Sequence, residues 1–397
     1  MRAAVLGAGY MGSAVTFPLC DAGWEVRLWG TWLDDEIIER CRHHNHPKLK
    51  KRLPEKIGLY GSLELEAAIE DADIVFIAVT SEGFVPVFER YLTTIAEKER
   101  ASHTGNANAG LQILCKRQAP YRRQVFLRQA VCALTKGFVR YRGRVCLISE
   151  AAEKIYGATF DATEGIRMSG GTGTSSGLRW ISIGGPVKAV ELCNRIPTAT
   201  VYATRDGSLK EIIAAIETGY YRICMSEDLC GVELSSALKN IYAIGVGICD
   251  GMHRASSFSG LYHNYKALLF NQALREMALL VQTAGGRRET VFNLAGIGDL
   301  YVTSASGRNG RFGGLVGEGV PAQEAYNAMI EQGEYTEGYN TLKLGYEFVE
   351  DLGTCQMKSF HLIKGLPLLK ALYEIIFRGN ECGARMQTVL SSIGIGR

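Results

Sequence analysis

Up to about residue 226 the chain repeats one pattern: a short run of Val, Ile, Leu and Ala, then a longer stretch with apolar positions every three or four residues. The runs are Ala3 to Leu6, Glu25 to Trp29, Ile74 to Val79, Val131 to Leu134, Arg144 to Ile148, Trp180 to Ile183 and Thr200 to Ala203. Short apolar runs bounded by turn residues predict buried strands, and the intervening periodicity predicts helices. Strand then helix, repeated, predicts a mostly parallel, doubly wound α/β sheet. From Ser226 the runs give way to long helical patterns: Ser226 to Ile248, Ser259 to Gln282, Arg287 to Ala295, Ala322 to Gln332, Asn340 to Asp351 and Pro367 to Phe377. Two domains are expected, 1–226 built on a sheet and 227–397 all helical, each long enough to bury its own core.

Two stretches interrupt the pattern. Residues 98–128 carry Lys116, Arg117, Arg122 and Arg123 with little periodicity, and 160–178 contain the Gly and Ser-rich GIRMSGGTGTSSG. Both read as solvated insertions, with a partner surface or an active-site cover as the alternative. Composition is that of a globular protein, 47% hydrophobic and 21% charged, and 44 basic against 41 acidic residues leave a charge of only +3. With no block of like charges, neither nucleic acid nor a membrane surface is the expected partner. Eleven cysteines without a CxxC pair read as reduced core residues. No apolar run approaches the roughly 18 residues of a membrane span, and MRAAVLGAGYMG reads as strand and turn, so no membrane insertion and a cytoplasmic location are expected.

The first strand runs into Gly7-Ala8-Gly9-Tyr10-Met11-Gly12, and an amphipathic helix follows to Cys20. Gly7 permits the tight turn, Gly9 lets backbone amides approach a pyrophosphate, and Gly12 lets helix and strand pack closely. Phosphate would sit at the positive end of that helix. This context makes the sheet a Rossmann-type dinucleotide-binding unit, with Gly7, Gly9, Tyr10, Met11 and Gly12 as cofactor-binding residues. The second strand ends at Trp29, Gly30 and Thr31, where an acidic residue would hold the ribose of NAD and an arginine the phosphate of NADP. No Arg or Lys stands there, which favours NAD without excluding NADP; Trp29 and Thr31 join the expected set. Asp34 and Asp35 read as a helix cap and first-turn charge.

In the helical half, the segment from Ser226 to Gly251 is apolar nearly all round and so predicts a buried helix. Lys239 and Asn240 in its middle need a polar cavity to face. His43, His44 and His46 lack the partners of a metal set, and no metal is expected. His46 in NHPKL is read as ordering its loop.

The GAGYMG turn, Asn45-His46, the Ala78-Val79-Thr80-Ser81 strand end, Thr135-Lys136-Gly137, Gly185-Pro186, VELSSALKNIYAIG, LAGIGDLYVTSASGRNGRFG and Thr336-Glu337-Gly338 occur in this order. Together they resemble NAD(P)-dependent glycerol-3-phosphate dehydrogenase over nearly the whole chain outside the two insertions. The resemblance implies interconversion of sn-glycerol 3-phosphate and dihydroxyacetone phosphate. It implies that Lys239 is the catalytic lysine, with Lys136, Asn240, Asp299 and Thr303 completing the catalytic site. Arg308 and Asn309 would bind the substrate phosphate, while Val79, Lys136, Arg308 and Glu337 would face the cofactor. The residue types suit the chemistry: hydride arriving at a ketone carbon leaves an alkoxide that a desolvated lysine can protonate, and arginine suits phosphate. Val187-Lys188 and Asn271-Gln272-Ala273 depart from the family pattern. Another phosphorylated hydroxyketone, such as a four-carbon sugar phosphate, and a non-catalytic NAD(H) sensor are the alternatives. Family members are often homodimers, and the apolar set Leu261, Tyr262, Leu268, Leu269 and Phe270 offers a shared face.

Overall fold

The computed structural model describes residues 1–104, 127–164, 177–256, 262–355 and 359–393. Its strands are β1 (Arg2–Leu6), β2 (Glu25–Trp29), β3 (Gly58–Tyr60), β4 (Ile74–Ile77), β5 (Ala130–Ala133), β6 (Phe138–Tyr141), β7 (Arg144–Leu147), β8 (Trp180–Gly184), β9 (Thr198–Ala203) and β10 (Tyr221–Ser226). Among them run α1 (Tyr10–Asp21), α2 (Asp35–His43), α3 (Leu65–Ile69), α4 (Ser81–Thr104), α5 (Ile148–Glu164), α6 (Ala189–Cys193) and α7 (Lys210–Ala214). The helical region follows as α8 (Leu229–Ala255), α9 (His263–Thr283), α10 (Arg288–Val291), α11 (Asp299–Ser306), α12 (Arg308–Gly317), α13 (Ala322–Glu331), α14 (Glu337–Cys355), α15 (Ser359–Lys364), α16 (Pro367–Arg378) and α17 (Cys382–Ser392).

Eight strands form one sheet in the order β10-β9-β8-β5-β4-β1-β2-β3, parallel throughout except that β9 runs against β8. Strand order reverses direction between β1 and β4, and such a switch point opens a crevice beyond the strands' C-terminal ends. The expected doubly wound α/β sheet followed by helices is what the chain adopts. Three strands are additions to the sequence reading. β3 has only three half-buried residues, β10 is a mostly exposed edge strand, and neither carries an apolar run. The third, β6, changes the topology. The Arg144 strand does not join the parallel sheet but pairs with β6 as a separate antiparallel hairpin, closed by Arg142 and Gly143 with φ of 48° and 80°. Two successive residues at positive φ match a two-residue hairpin turn, a local signal that the apolar pattern does not carry. Residues 98–104, expected to be irregular, continue α4, whereas most of the two insertions, 105–126 and 165–176, lies outside the described residues.

The cores interlock. Phe138, Val145 and Leu147 of the hairpin are buried among α8 and its neighbours, Phe138 lying 5.0 Å from the Phe348 ring. Leu229 and Val232 of α8 in turn join the core beneath the sheet. Within the helical region α8 is buried along most of its length and lies against α12 through glycine. A Cβ on Gly247 would stand 2.1 Å from the Gly310 carbonyl oxygen, and one on Gly313 2.1 Å from that of Ile244. Backbone contact this close sets α12 beside the middle of α8, where Lys239 and Asn240 lie. The apolar set expected to be shared with a second copy is used internally: Leu269 is fully buried, and Tyr262, Leu268 and Phe270 pack against the helical core. Leu261 lies outside the described residues.

Candidate active site

A cavity of ≈ 570 Å³ opens at the switch point and extends to α8, lined from the sheet by Gly7, Gly9, Tyr10, Met11, Thr31, Val79 and Lys136 and from the helices by Lys239, Asn240, Asp299, Thr303, Arg308, Asn309 and Glu337. Each element delivers its group for a local reason. Gly7, at φ +116°, turns the chain off β1 against the end of β4; a Cβ there would lie 2.6 Å from the Ala78 carbonyl oxygen. A Cβ on Gly12 would lie 2.0 Å from the Gly7 carbonyl, so α1 starts where only glycine fits. Gly9 has no atom within 4 Å of such a position and lines the cavity, leaving the amides at the start of α1 approachable. A pyrophosphate fits that cradle.

Gly12 and Trp29 from the expected cofactor set do not line the cavity. Gly12 serves the turn from behind. Trp29 is fully buried in the core; its indole N–H donates to the Ser62 carbonyl at 3.3 Å. A tryptophan that ends an inner strand is drawn into the core by its own apolar area.

Asp34 also departs from its reading as a simple helix cap. It precedes α2, but no side-chain cap bond forms. Its Oδ2 instead accepts from the Thr31 hydroxyl at 2.8 Å, the Thr31 amide at 3.1 Å and the Ala8 amide at 3.3 Å. The carboxylate thereby faces the glycine turn and lines the cavity with Lys48 and with Trp32 and Leu33, the last two of which the sequence reading passed over as site residues. Asp35 stays with the first-turn role, accepting from the Ser62 amide and hydroxyl at 2.7 Å each, and these bonds lower its pKa.

At the other end, Asp299 is 2% exposed and stands between two lysines. One carboxylate oxygen takes the Lys239 ammonium and the other takes Lys136 at 2.9 Å. Lys136 also donates to the Gly185 carbonyl at 3.0 Å. Thr135 fixes the segment carrying Lys136, its hydroxyl donating to the Val79 carbonyl at 2.8 Å. Asp299 itself follows the π-helical turn Leu294–Gly298, a local irregularity of a kind common at functional sites. Burial lowers the pKa of Lys239 to about 8; the Asp299 charge opposes this and the Lys136 charge adds to it. A lysine so placed can hold or release a proton near neutral pH.

Asn309, expected to bind phosphate beside Arg308, is almost fully buried with both ends of its amide engaged. Its Nδ2 donates to Asn240 Oδ1 at 3.0 Å and its Oδ1 accepts from the Gly338 amide at 2.9 Å. Asn240 Nδ2 continues to Glu337 Oε2 at 3.4 Å. This chain of amides ties α12, α8 and the start of α14 together. Arg308 lines the cavity with no carboxylate partner among the described residues. Tyr335, beside Glu337 in the lining, was also missed by the sequence reading, because a lone tyrosine in a polar loop carries no pattern.

Hydride and proton travel separately in the reduction of a carbonyl, so a dehydrogenase needs a nucleotide turn on one wall of its cleft and a poised proton donor on the other. Fold and cleft together define that class. Comparison with known proteins narrows it. The N-terminus model of NAD-dependent glycerol-3-phosphate dehydrogenase matches residues 2–163 and the C-terminus model matches 228–396. The chain is 29% identical over 382 residues to an NADP(+)-dependent glycerol-3-phosphate dehydrogenase of Archaeoglobus fulgidus, covering 96% of each chain. It is also 29% identical to a glycerol-3-phosphate dehydrogenase [NAD(P)+] of Pseudomonas aeruginosa, covering 98% of this chain and 93% of that one. The crystal structure of the Coxiella burnetii glycerol-3-phosphate dehydrogenase superposes with a TM-score of 0.72 at 26% identity, covering 98% of both chains. The chain belongs to the NAD-dependent glycerol-3-phosphate dehydrogenase family and is an NAD(P)-dependent oxidoreductase.

Proposed function

We propose that residues 1–226 hold the nucleotide and residues 227–397 present the groups that interconvert dihydroxyacetone phosphate and sn-glycerol 3-phosphate. The Lys239–Asp299–Lys136 chain, lining the same cavity as the glycine turn, is the observation that carries this reading. When bound, the nicotinamide supplies or accepts the hydride. The chain's own groups do the rest. Lys239 delivers a proton to the carbonyl oxygen during reduction and removes it during oxidation. Asp299 orients Lys239 and Lys136, and the two ammonium groups stabilise negative charge on the reacting oxygen. Asn240, held by Asn309, and Thr303 orient the substrate, and Arg308 takes its phosphate. Five cations (Lys48, Lys136, Lys188, Lys239 and Arg308) against three carboxylates (Asp34, Asp299 and Glu337) in the cavity lining suit a doubly charged phosphate ester. The test is NADH consumption with dihydroxyacetone phosphate, run beside a panel of other phosphorylated ketoses and unphosphorylated dihydroxyacetone. Fastest turnover with dihydroxyacetone phosphate is expected; no consumption with either NADH or NADPH would overturn the reading.

NAD is the assigned preference. The Asp34 carboxylate just beyond β2 supports it, since negative charge there disfavours a 2′-phosphate. A kcat/KM higher for NADH than for NADPH is expected, and a tenfold preference for NADPH would refute the assignment. A homodimer is the proposed assembly, supported by exposed Phe292, Ile297 and Tyr301 on the helical half. Light scattering should give twice 43.4 kDa, and the mass of one chain would contradict it. Among the described residues no helix is long and apolar enough to cross a membrane. The proposed location is cytoplasmic, supported by nine unpaired cysteines among the described residues.

A further inference from the structure

His46 is fully buried, yet it belongs to an exposed turn between α2 and β3. All its polar atoms are spent locally. Nδ1 lies 3.2 Å from the Lys48 amide and 3.1 Å from the Leu49 amide, both of which can only donate. Nε2 lies 3.0 Å from the Ala8 carbonyl, which can only accept. These partners admit one form, the neutral imidazole protonated on Nε2. Its backbone closes the same turn, with the His46 amide donating to the Lys51 carbonyl and the Lys50 amide to the His46 carbonyl, both at 2.9 Å.

Ala8 is the middle residue of the Gly7-Ala8-Gly9 turn. Its amide is held by Asp34 and its carbonyl by His46, so both polar groups of this residue are clamped from outside the turn. The turn that His46 closes also carries Lys48, whose ammonium sits 6.0 Å from the centre of the Tyr10 ring, and both line the cavity. We propose that His46 is a positioning residue of the nucleotide site, its neutral imidazole fixing the Ala8–Gly9 peptide and setting Lys48 at the cavity mouth. A charged imidazole would turn an N–H against two donors and release the Lys48 turn. Burial already disfavours that form, as does Lys48 from its own turn, while the bond to the Ala8 carbonyl and Asp34 from the start of α2 favour it. Lys51, at the end of the same turn, is engaged elsewhere, donating to the Cys193 carbonyl at 2.8 Å and to Asn194 Oδ1 at 2.9 Å. Nucleotide affinity therefore falls in acid as His46 charges.

The test is calorimetric titration of the full chain with NAD⁺, without substrate, for the wild type, His46→Asn and His46→Ala. Asparagine keeps an acceptor near the Nδ1 position and loses the donor to Ala8. It should weaken binding by about three- to tenfold, the effect of one such hydrogen bond, and alanine should weaken it further. The kcat at saturating nucleotide should stay within about twofold. Because burial lowers the His46 pKa, wild-type affinity should fall only on the acid side of the ordinary histidine range, and this fall should be absent in His46→Asn. Equal affinity in folded wild type and His46→Asn would overturn the proposal, as would an unchanged pH dependence. Failure of both variants to fold would also overturn it, making His46 a residue of the fold alone. The proposal rests on the glycine turn being the nucleotide site; failure of wild type to bind either NAD⁺ or NADP⁺ would remove that reading instead.

Discussion

At the scale of single residues, the account turns on how the protein environment sets a proton on Lys239. With its pKa lowered to about 8 by burial, Lys239 is mostly ammonium at neutral pH and mostly amine above pH 8. Ketone reduction needs the ammonium and alcohol oxidation needs the amine. Hence kcat/KM for reduction should fall as pH rises through about 8 while kcat/KM for oxidation rises through the same value. Profiles of both directions check this, and two limbs of the same sign would contradict it. Arg308→Ala should raise KM for the phosphorylated substrate by roughly ten- to a hundredfold, the loss of a charge-assisted contact of about 1.5 to 3 kcal/mol, with a smaller change in kcat. Steady-state kinetics decide, and an unchanged KM would remove the phosphate role. Lys239 and Asn240 were legible as candidates because a buried helix interrupted by Lys-Asn stands out against its apolar surroundings, whereas Lys136 and Asp299 entered only through the resemblance to the family. Asp34 was not legible, because its place at the glycine turn depends on how two loops fold back, which no spacing along the chain records.

Among elements, the contact between α8 and α12 decides whether the site exists. Arg308 and Asn309 open α12 next to Asn240 only because glycines let the two backbones meet. Gly247→Ala should therefore destabilise the protein by about 1 to 3 kcal/mol through overpacking, although alanine is the better helix former. It should also lower kcat by parting Asn309 from Asn240. Thermal unfolding and turnover measured on the same preparation test this; a raised melting temperature with full activity would contradict it. The strands with apolar runs and the long helices were read from periodicity alone, since a buried face needs apolar side chains at fixed intervals. The edge strands β3 and β10 and the β6–β7 hairpin escaped that reading. Edge strands bury too little to show a pattern, and the hairpin is defined by the Arg142-Gly143 turn and by a helical core that receives Phe138.

On the scale of the whole molecule, the sheet and the helices work as one unit because their interiors are shared. The hairpin enters the helical core, and Arg140 on it pairs with Glu347 of α14, Nη1 to Oε1 at 2.7 Å. Asn340 of α14 reaches Glu82 at the start of α4 at 2.6 Å. These contacts flank a cleft whose glycine turn and proposed proton donor come from opposite halves, Gly7 to Gly12 from the sheet and Lys239 from α8. The central claim is that Lys239 moves the proton while the sheet holds the nucleotide. Single-turnover reduction of dihydroxyacetone phosphate by prebound NADH, in wild type and Lys239→Ala, measures it most directly. The account predicts a rate lowered by about 100-fold or more in the variant, with NADH affinity within about twofold of wild type. A wild-type rate in Lys239→Ala would contradict it.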